Sequence, residues 1–330
     1  MTRNRTLFLI VASIVALLAS ACGGGGAGGG GKDGPIEVVT HNAVGGGSDV
    51  FTRQMIQMMY QNDIIDTQWP VRNVPAGDTI GAMSYLVERA GNNGLIAQIT
   101  PTWVATPMTL PDSPVNVGML TPITLVATEP QVVVTKAGGQ FKSLAEFIEA
   151  AKAAPDTLVQ TGGSSTANDA LTRLVLQDEA DAKWKFLSFE DTGSRITALM
   201  RDDAQIMMGS ASDVREQVRA GQLEVIGVVG DERLDVFPDV PTTEEQGINS
   251  ANVPVQFRAV MGAPDMSEEA IAQFQDDLSK MVETDDWKEL ASSDGLVTQN
   301  LKGDEFKTYL DEQTKIVGDL LGGLGLRKDQ

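Results

Sequence analysis

Ile36-Glu-Val-Val-Thr-His-Asn-Ala-Val-Gly-Gly-Gly-Ser-Asp-Val-Phe-Thr-Arg53 begins as an apolar, β-branched run and ends in a helix-like pattern, with three glycines between. This order reads as a strand, a loop whose backbone can approach a ligand, and a helix N-terminus. The first turn of a helix carries unpaired N–H groups and a partial positive charge, which together suit an anion. Glycine removes the Cβ barrier to unusual backbone angles and lets the amides turn inward. Gly45, Gly46, Gly47, Ser48 and Asp49 are therefore the first candidates for contact with a ligand.

The same alternation continues along the chain. Ile36–Thr40, Pro70–Val74, Leu95–Ile99, Gln131–Thr135, Thr157–Thr161, Lys185–Phe189, Gln205–Met208, Leu223–Val229 and Val255–Met261 read as strands, separated mostly by helical patterns. Ser143-Leu-Ala-Glu146 has the spacing of a capping box, and Ser267 followed by two glutamates marks another helix start. The fold class is α/β. Gln131–Thr135 and Val255–Met261 bracket a self-contained α/β block, so the chain is expected to form two lobes joined by two crossover strands. Each lobe is expected to be a mostly parallel sheet flanked by helices. The boundaries are residues 1–22 (leader), 23–34 (tether), 35–135 plus 260–330 (a discontinuous first lobe) and 136–259 (second lobe). A cleft between lobes, at strand C-termini and helix N-termini, is where such a fold binds small molecules.

A length of 330 residues suits two domains. The net charge of −20 argues against nucleic acid or anionic lipid as partners, so an anion site must rely on local amides and a few cations. Arg3 and Arg5 precede the apolar run Leu7–Ala19, which reads as an export signal and is shorter than the roughly 20 residues a membrane span needs. Leu18-Ala-Ser-Ala-Cys22 resembles a lipobox, with the leucine one place further from the cysteine than is usual. Cys22, the only cysteine, is the expected lipidation site, and the glycine run after it the tether of an extracytoplasmic protein anchored to the cell envelope.

Five segments carry a family resemblance. They are Gly45-Gly-Gly-Ser-Asp49 with Arg53; Asn73-Val-Pro-Ala-Gly-Asp-Thr-Ile-Gly81; Thr161-Gly-Gly-Ser-Ser165 before a helix; Ala220-Gly-Gln-Leu223 with Asp231-Glu-Arg-Leu234 and Phe237-Pro-Asp-Val-Pro-Thr-Thr-Glu-Glu-Gln-Gly247; and Gln256-Phe-Arg258 with Ala263-Pro264. In this order they resemble the extracytoplasmic solute receptors of tripartite tricarboxylate transporters, which are type II periplasmic binding proteins. Departures from the family pattern are Asp78 for a glycine, Asn168 or Asp169 for a common histidine, Glu224 for an arginine and Phe257 for a tryptophan.

The resemblance implies capture of a small carboxylate, such as a di- or tricarboxylate, between the lobes and its delivery to integral-membrane transporter subunits. It implies no enzymatic activity and no cofactor, and a monomer is expected. The loop Ala76, Gly77, Asp78, Thr79 is placed opposite the first glycine loop. Gly163, Ser164, Ser165 and Thr166 form the matching cradle of the second lobe, with Ser210 at a further strand-to-helix loop and Arg258 near the cleft mouth. Arg258 could clamp a second carboxylate or form a hinge salt bridge; Asp49 and Asp78 could order loops, or Asp78 could favour a guest bearing an amine or hydroxyl. His41, the only histidine, reads as structural, and one histidine builds no metal site. A dinucleotide site is rejected, because the glycine spacing lacks the full fingerprint. A sensor lipoprotein for the same ligands and, less well supported, a hydrolase are the alternatives; export excludes a transcription-factor effector domain.

Overall fold

The computed structural model describes residues 35–328, so the leader, Cys22 and the glycine tether lie outside the described residues. The chain opens with β1 (Glu37–Thr40), α1 (Gly47–Gln61), β2 (Val71–Asn73), α2 (Ile80–Val87), β3 (Leu95–Ile99), α3 (Thr102–Met108) and β4 (Thr121–Thr128). The short link Glu129-Pro130 leads into β5 (Gln131–Lys136), α4 (Leu144–Ala153), β6 (Val159–Gly162), α5 (Asn168–Ala180), β7 (Lys185–Ser188), α6 (Thr192–Met200), β8 (Ile206–Ser210), α7 (Ala211–Arg219) and β9 (Leu223–Val228). A long return segment then reaches β10 (Phe257–Gly262), α8 (Glu268–Glu283), α9 (Asp285–Asp294), β11 (Val297–Lys302) and α10 (Gly303–Gly323).

The strands make two sheets, ordered β11-β4-β10-β3-β1-β2 and β7-β6-β8-β5-β9. Both are mixed. In the first, β10 runs antiparallel to β3 and β4, and β11 antiparallel to β4. In the second, β5 is antiparallel to both β8 and β9. The remaining pairings, β1 with β2 and β3 and β6 with β7 and β8, are parallel, as the βαβ pattern predicts. β5 and β10 reverse direction because each enters its sheet from the other one rather than through a helical crossover. Strands form at both bracketing segments, but neither crosses between the sheets: β5, expected in the first lobe, lies wholly in the second sheet, and β10 lies inside the first. The chain passes between sheets at Glu129-Pro130 and through residues 229–256.

Each sheet is covered on both faces at its centre, which is why the inner strands β3, β8 and β10 are buried along their whole length, whereas the edge strands β2, β7 and β11 are not. In the first, Val39, Ala97, Phe257, Ala259 and Met261 pack on one side, and Val38, Ile96 and Val260 on the other. In the second, Val133 faces one cluster while Val132 and Val134 face the other. Burying such a side chain contributes about 1.5–3 kcal/mol, so neither face can be stripped of its helices. Local signals hold as well. Ser143 Oγ accepts the Glu146 amide at 3.1 Å, and Glu146 reaches back to the amide of Lys142, one residue earlier than a standard capping box. Ser267 caps α8 by accepting from the Ala270 amide.

Candidate functional site

A cavity of about 120 Å³ lies between the two sheets. Its walls come from helix starts on both lobes: Gly47 and Ser48 of α1, Thr102 of α3, Asn168 and Asp169 of α5, Thr192 of α6, and Ser210 before α7. Five chain segments therefore point positive helix ends at one small volume. α6 and α7 are capped by their own side chains, Asp191 and the Ser210–Asp213 pair. The N-caps of α1, α3 and α5 are Gly46, Pro101 and Ala167, none of which supplies a side-chain cap, although Asn42 Oδ1 accepts the Ser48 amide in the first turn of α1 at 2.8 Å and Asp169 stands in the first turn of α5. A larger hollow of about 790 Å³ adjoins the cavity and shares Gln131, Asn168 and Gln256 with it.

Of the anticipated residues, Gly47, Ser48, Ser210 and Arg258 line the cavity. Gly45 and Gly46 form the turn beneath it. Gly45 has φ +85°, and a Cβ on Gly46 would approach Cβ of Asn42 to 2.8 Å. Asp49 faces this turn instead of the cavity: Oδ2 accepts the Gly45 amide at 2.9 Å, while Oδ1 takes Arg53 Nε at 2.9 Å and Asn73 Nδ2 at 2.8 Å. Burial alone would raise its pKa, but Arg53, the Gly45 amide and Asn73 outweigh burial and hold the carboxyl below its usual range. Asp49 orders the loop and brings Asn73, from the second family segment, against the first.

Gly77 and Asp78 both adopt left-handed backbone, φ +61° and +60°. Ala76 and Gly77 are exposed, and Thr79 is buried with its hydroxyl unpartnered; none of this loop lines the cavity. It meets the second lobe through Asp78, whose Oδ2 lies 3.2 Å from Ser164 Oγ, 2.9 Å from Thr166 Oγ1 and 2.9 Å from Thr106 Oγ1 of α3. Gly163 donates its amide to Asp169 Oδ2 at 2.8 Å, and Ser165 is exposed.

Arg258 pairs with Glu129 at 2.6 Å, with both side chains almost fully buried, and its guanidinium lies 5.1 Å over the Phe51 ring. The pair spans the two places where the chain leaves and re-enters the first sheet. His41 also lines the cavity: Trp103 Nε1 donates to His41 Nδ1 at 2.9 Å. Burial pushes the imidazole pKa down to about 4; Asp78 opposes that shift and Arg258 adds to it. A neutral ring whose Nδ1 accepts must carry its proton on Nε2, so His41 holds a fixed donor at the cavity wall. Its structural reading is thereby extended.

Asn168 is the residue that glycine-loop reasoning passed over as a contact. It is 5% exposed, lines both hollows, and neither its Nδ2 nor its Oδ1 has a hydrogen-bond partner. Its signals in the sequence are its position at a helix start after Thr161-Gly-Gly-Ser-Ser165 and its place, with Asp169, where the resembled family commonly has a histidine. Asp169 beside it is fully buried; burial raises its pKa, against the lowering effect of Arg195 and the Gly163 amide. Among the described residues no group of His, Cys, Asp and Glu has the arrangement to hold a metal ion, and no helix is long and apolar enough to cross a membrane.

The family model described as "Tripartite tricarboxylate transporter family receptor" matches residues 51–326. A relative from Bordetella pertussis, described as a UPF0065 protein, is 23% identical over 302 residues, covering 89% of this chain and 90% of the relative. Two solved structures share the fold. MatC from Rhodopseudomonas palustris with bound malate has a TM-score of 0.77 at 18% identity, over 87% of this chain and 98% of that one. A second R. palustris protein, solved with adipate, has a TM-score of 0.81 at 13% identity, over 88% and 97%. With the family segments in order and the helix starts gathered at one interlobe cavity, the chain belongs to the tripartite tricarboxylate transporter receptor family, solute-binding proteins rather than enzymes, of extracytoplasmic location.

Proposed function

We propose that this receptor takes a small organic carboxylate into the interlobe cavity and delivers it to integral-membrane transporter subunits. The observation that carries the reading is the Asn168 amide, which is buried at the start of α5 with both polar atoms unpaired. An unpaired buried amide is costly, so its retention makes sense where a guest completes it. The helix starts of α1 and α5 supply a positive field for a carboxylate, and His41 Nε2–H and the Ser48 hydroxyl supply further donors. The malate and adipate held by the two R. palustris relatives support a carboxylate as the ligand class.

The lobes would close on the guest about the Glu129–Arg258 hinge, and the closed form would engage the transporter. Lipidation at Cys22 would hold a monomeric receptor at the envelope. The test is mass spectrometry of small molecules released from the purified receptor, followed by thermal denaturation with each. A true ligand at a hundredfold excess over its Kd raises stability by about 2.7 kcal/mol. Absence of any carboxylate that both co-purifies and stabilises would end the proposal.

A further inference from the structure

The hydroxyls of Ser164 and Thr166, the anticipated cradle of the second lobe, lie 3.2 Å apart and outside the lining of the cavity. They are already engaged. Asp78, on the first lobe, places Oδ2 3.2 and 2.9 Å from them, and Thr106 Oγ1 adds a contact at 2.9 Å. Donors spent on a protein carboxylate are not free for a guest's. We propose that Asp78 is a resident carboxylate that fills this cradle and restricts the receptor to guests with one carboxylate.

The direction left for the rest of the guest supports the same restriction. The cavity opens past Gln131, Asn168 and Gln256 into the larger hollow, whose charged residues are Glu129, Asp231 and Glu244, all acids. A second carboxylate extending there would meet like charge; the cations that line the cavity behind it are Arg195 and Arg258, neither lines the larger hollow, and Arg258 is paired with Glu129. A neutral or ammonium-bearing tail meets no such penalty. The specificity claim rests on the carboxylate-receptor reading; occupancy of the cradle by Asp78 does not.

Two measurements separate these. The first uses acetate and Asp78→Gly, a variant that keeps the turn because glycine adopts φ +60° without strain. If Asp78 fills a carboxylate cradle, acetate refills it in the variant. The melting temperature of Asp78→Gly then rises by about 2 °C or more with saturating acetate while the wild type does not move. Equal responses of the two proteins overturn the proposal, whatever the cognate ligand is. The second compares hexanoate, 6-aminohexanoate and adipate by calorimetry. The wild type is expected to bind at least one of the first two about tenfold more tightly than adipate, and Asp78→Gly to lose that preference by gaining adipate affinity. Equal or tighter adipate binding by the wild type overturns the restriction. Failure of all three probes to bind, with acetate rescue intact, counts against the receptor reading and leaves the cradle assignment standing.

Discussion

Trp103 donates its indole N–H to Nδ1 of His41 at 2.9 Å, across a pair of rings set edge to face. The contact fixes the tautomer of the one histidine and ties β1 to α3 at the cavity wall. It also makes the histidine a proton-linked element of stability. The folded pKa, about 4, lies below the unfolded value of about 6.5, so the unfolded chain binds the extra proton between them. This contribution is complete above pH 6.5, shrinks as pH falls toward 4, and is constant below. Urea melts from pH 7 to pH 4 should therefore show a smaller stability loss for His41→Gln than for the wild type. Parallel curves would contradict the assignment.

Arg258 and Glu129 form a buried ion pair between distant segments, at 2.6 Å. Removing one partner strands a buried charge, at a cost of about 3–5 kcal/mol. Arg258→Met and Glu129→Gln are each expected to destabilise by about that range, and the double variant by less than their sum. Denaturant titrations of the three proteins decide this; strict additivity would mean the two side chains do not interact.

Asn168 predicts a trade of function for stability. Replacing its unpaired amide by leucine, similar in volume, removes an unsatisfied polar group and is expected to stabilise the empty receptor by about 1 kcal/mol. The same change should abolish the thermal shift produced by ligand. A variant that loses stability and still binds would refute the role of the amide.

Gly162 ends β6 under the second-lobe loop, where a Cβ would fall 2.0 Å from Asp169 Oδ2 and 2.6 Å from the Phe186 ring. Gly162→Ala is expected to cost about 1–3 kcal/mol through displaced neighbours, and to weaken ligand binding because Asp169 anchors the Gly163 amide. Unchanged melting and affinity would show the loop to be more yielding than its packing implies.

Cys22 provides a test in cells. Cys22→Ser is expected to leave the receptor in the soluble fraction after fractionation, where the parent protein stays with the membrane. Equal partition of both would remove the lipid anchor from the proposal.

Several elements could not be read from local pattern. β4 contains Pro122 after Thr121, a signal that demotes a strand, yet β4 is paired on both sides, by β10 and β11, with a register shift beside Pro122. β11, Val-Thr-Gln-Asn-Leu-Lys, has no apolar alternation, because it is an edge strand held by its backbone to β4 and interrupted by a bulge. α3 carries Pro107 one residue before its end. For β4 and β11, pairing with a partner far along the chain overrode the local preference.

The residues from Ile36 to Arg53 determined by themselves a strand, a turn and a helix start, because side-chain alternation, glycine and helix termini act over a few residues. The ordered segments after them likewise announced an α/β receptor. Only the tertiary structure decided which donors remain free. Asp78 meets Thr166 across 88 positions of chain, Arg258 is claimed by Glu129, and Asn168 is left unpaired. Hydrogen-bond capacity is shared among groups that folding brings together, and no local pattern records how it is divided.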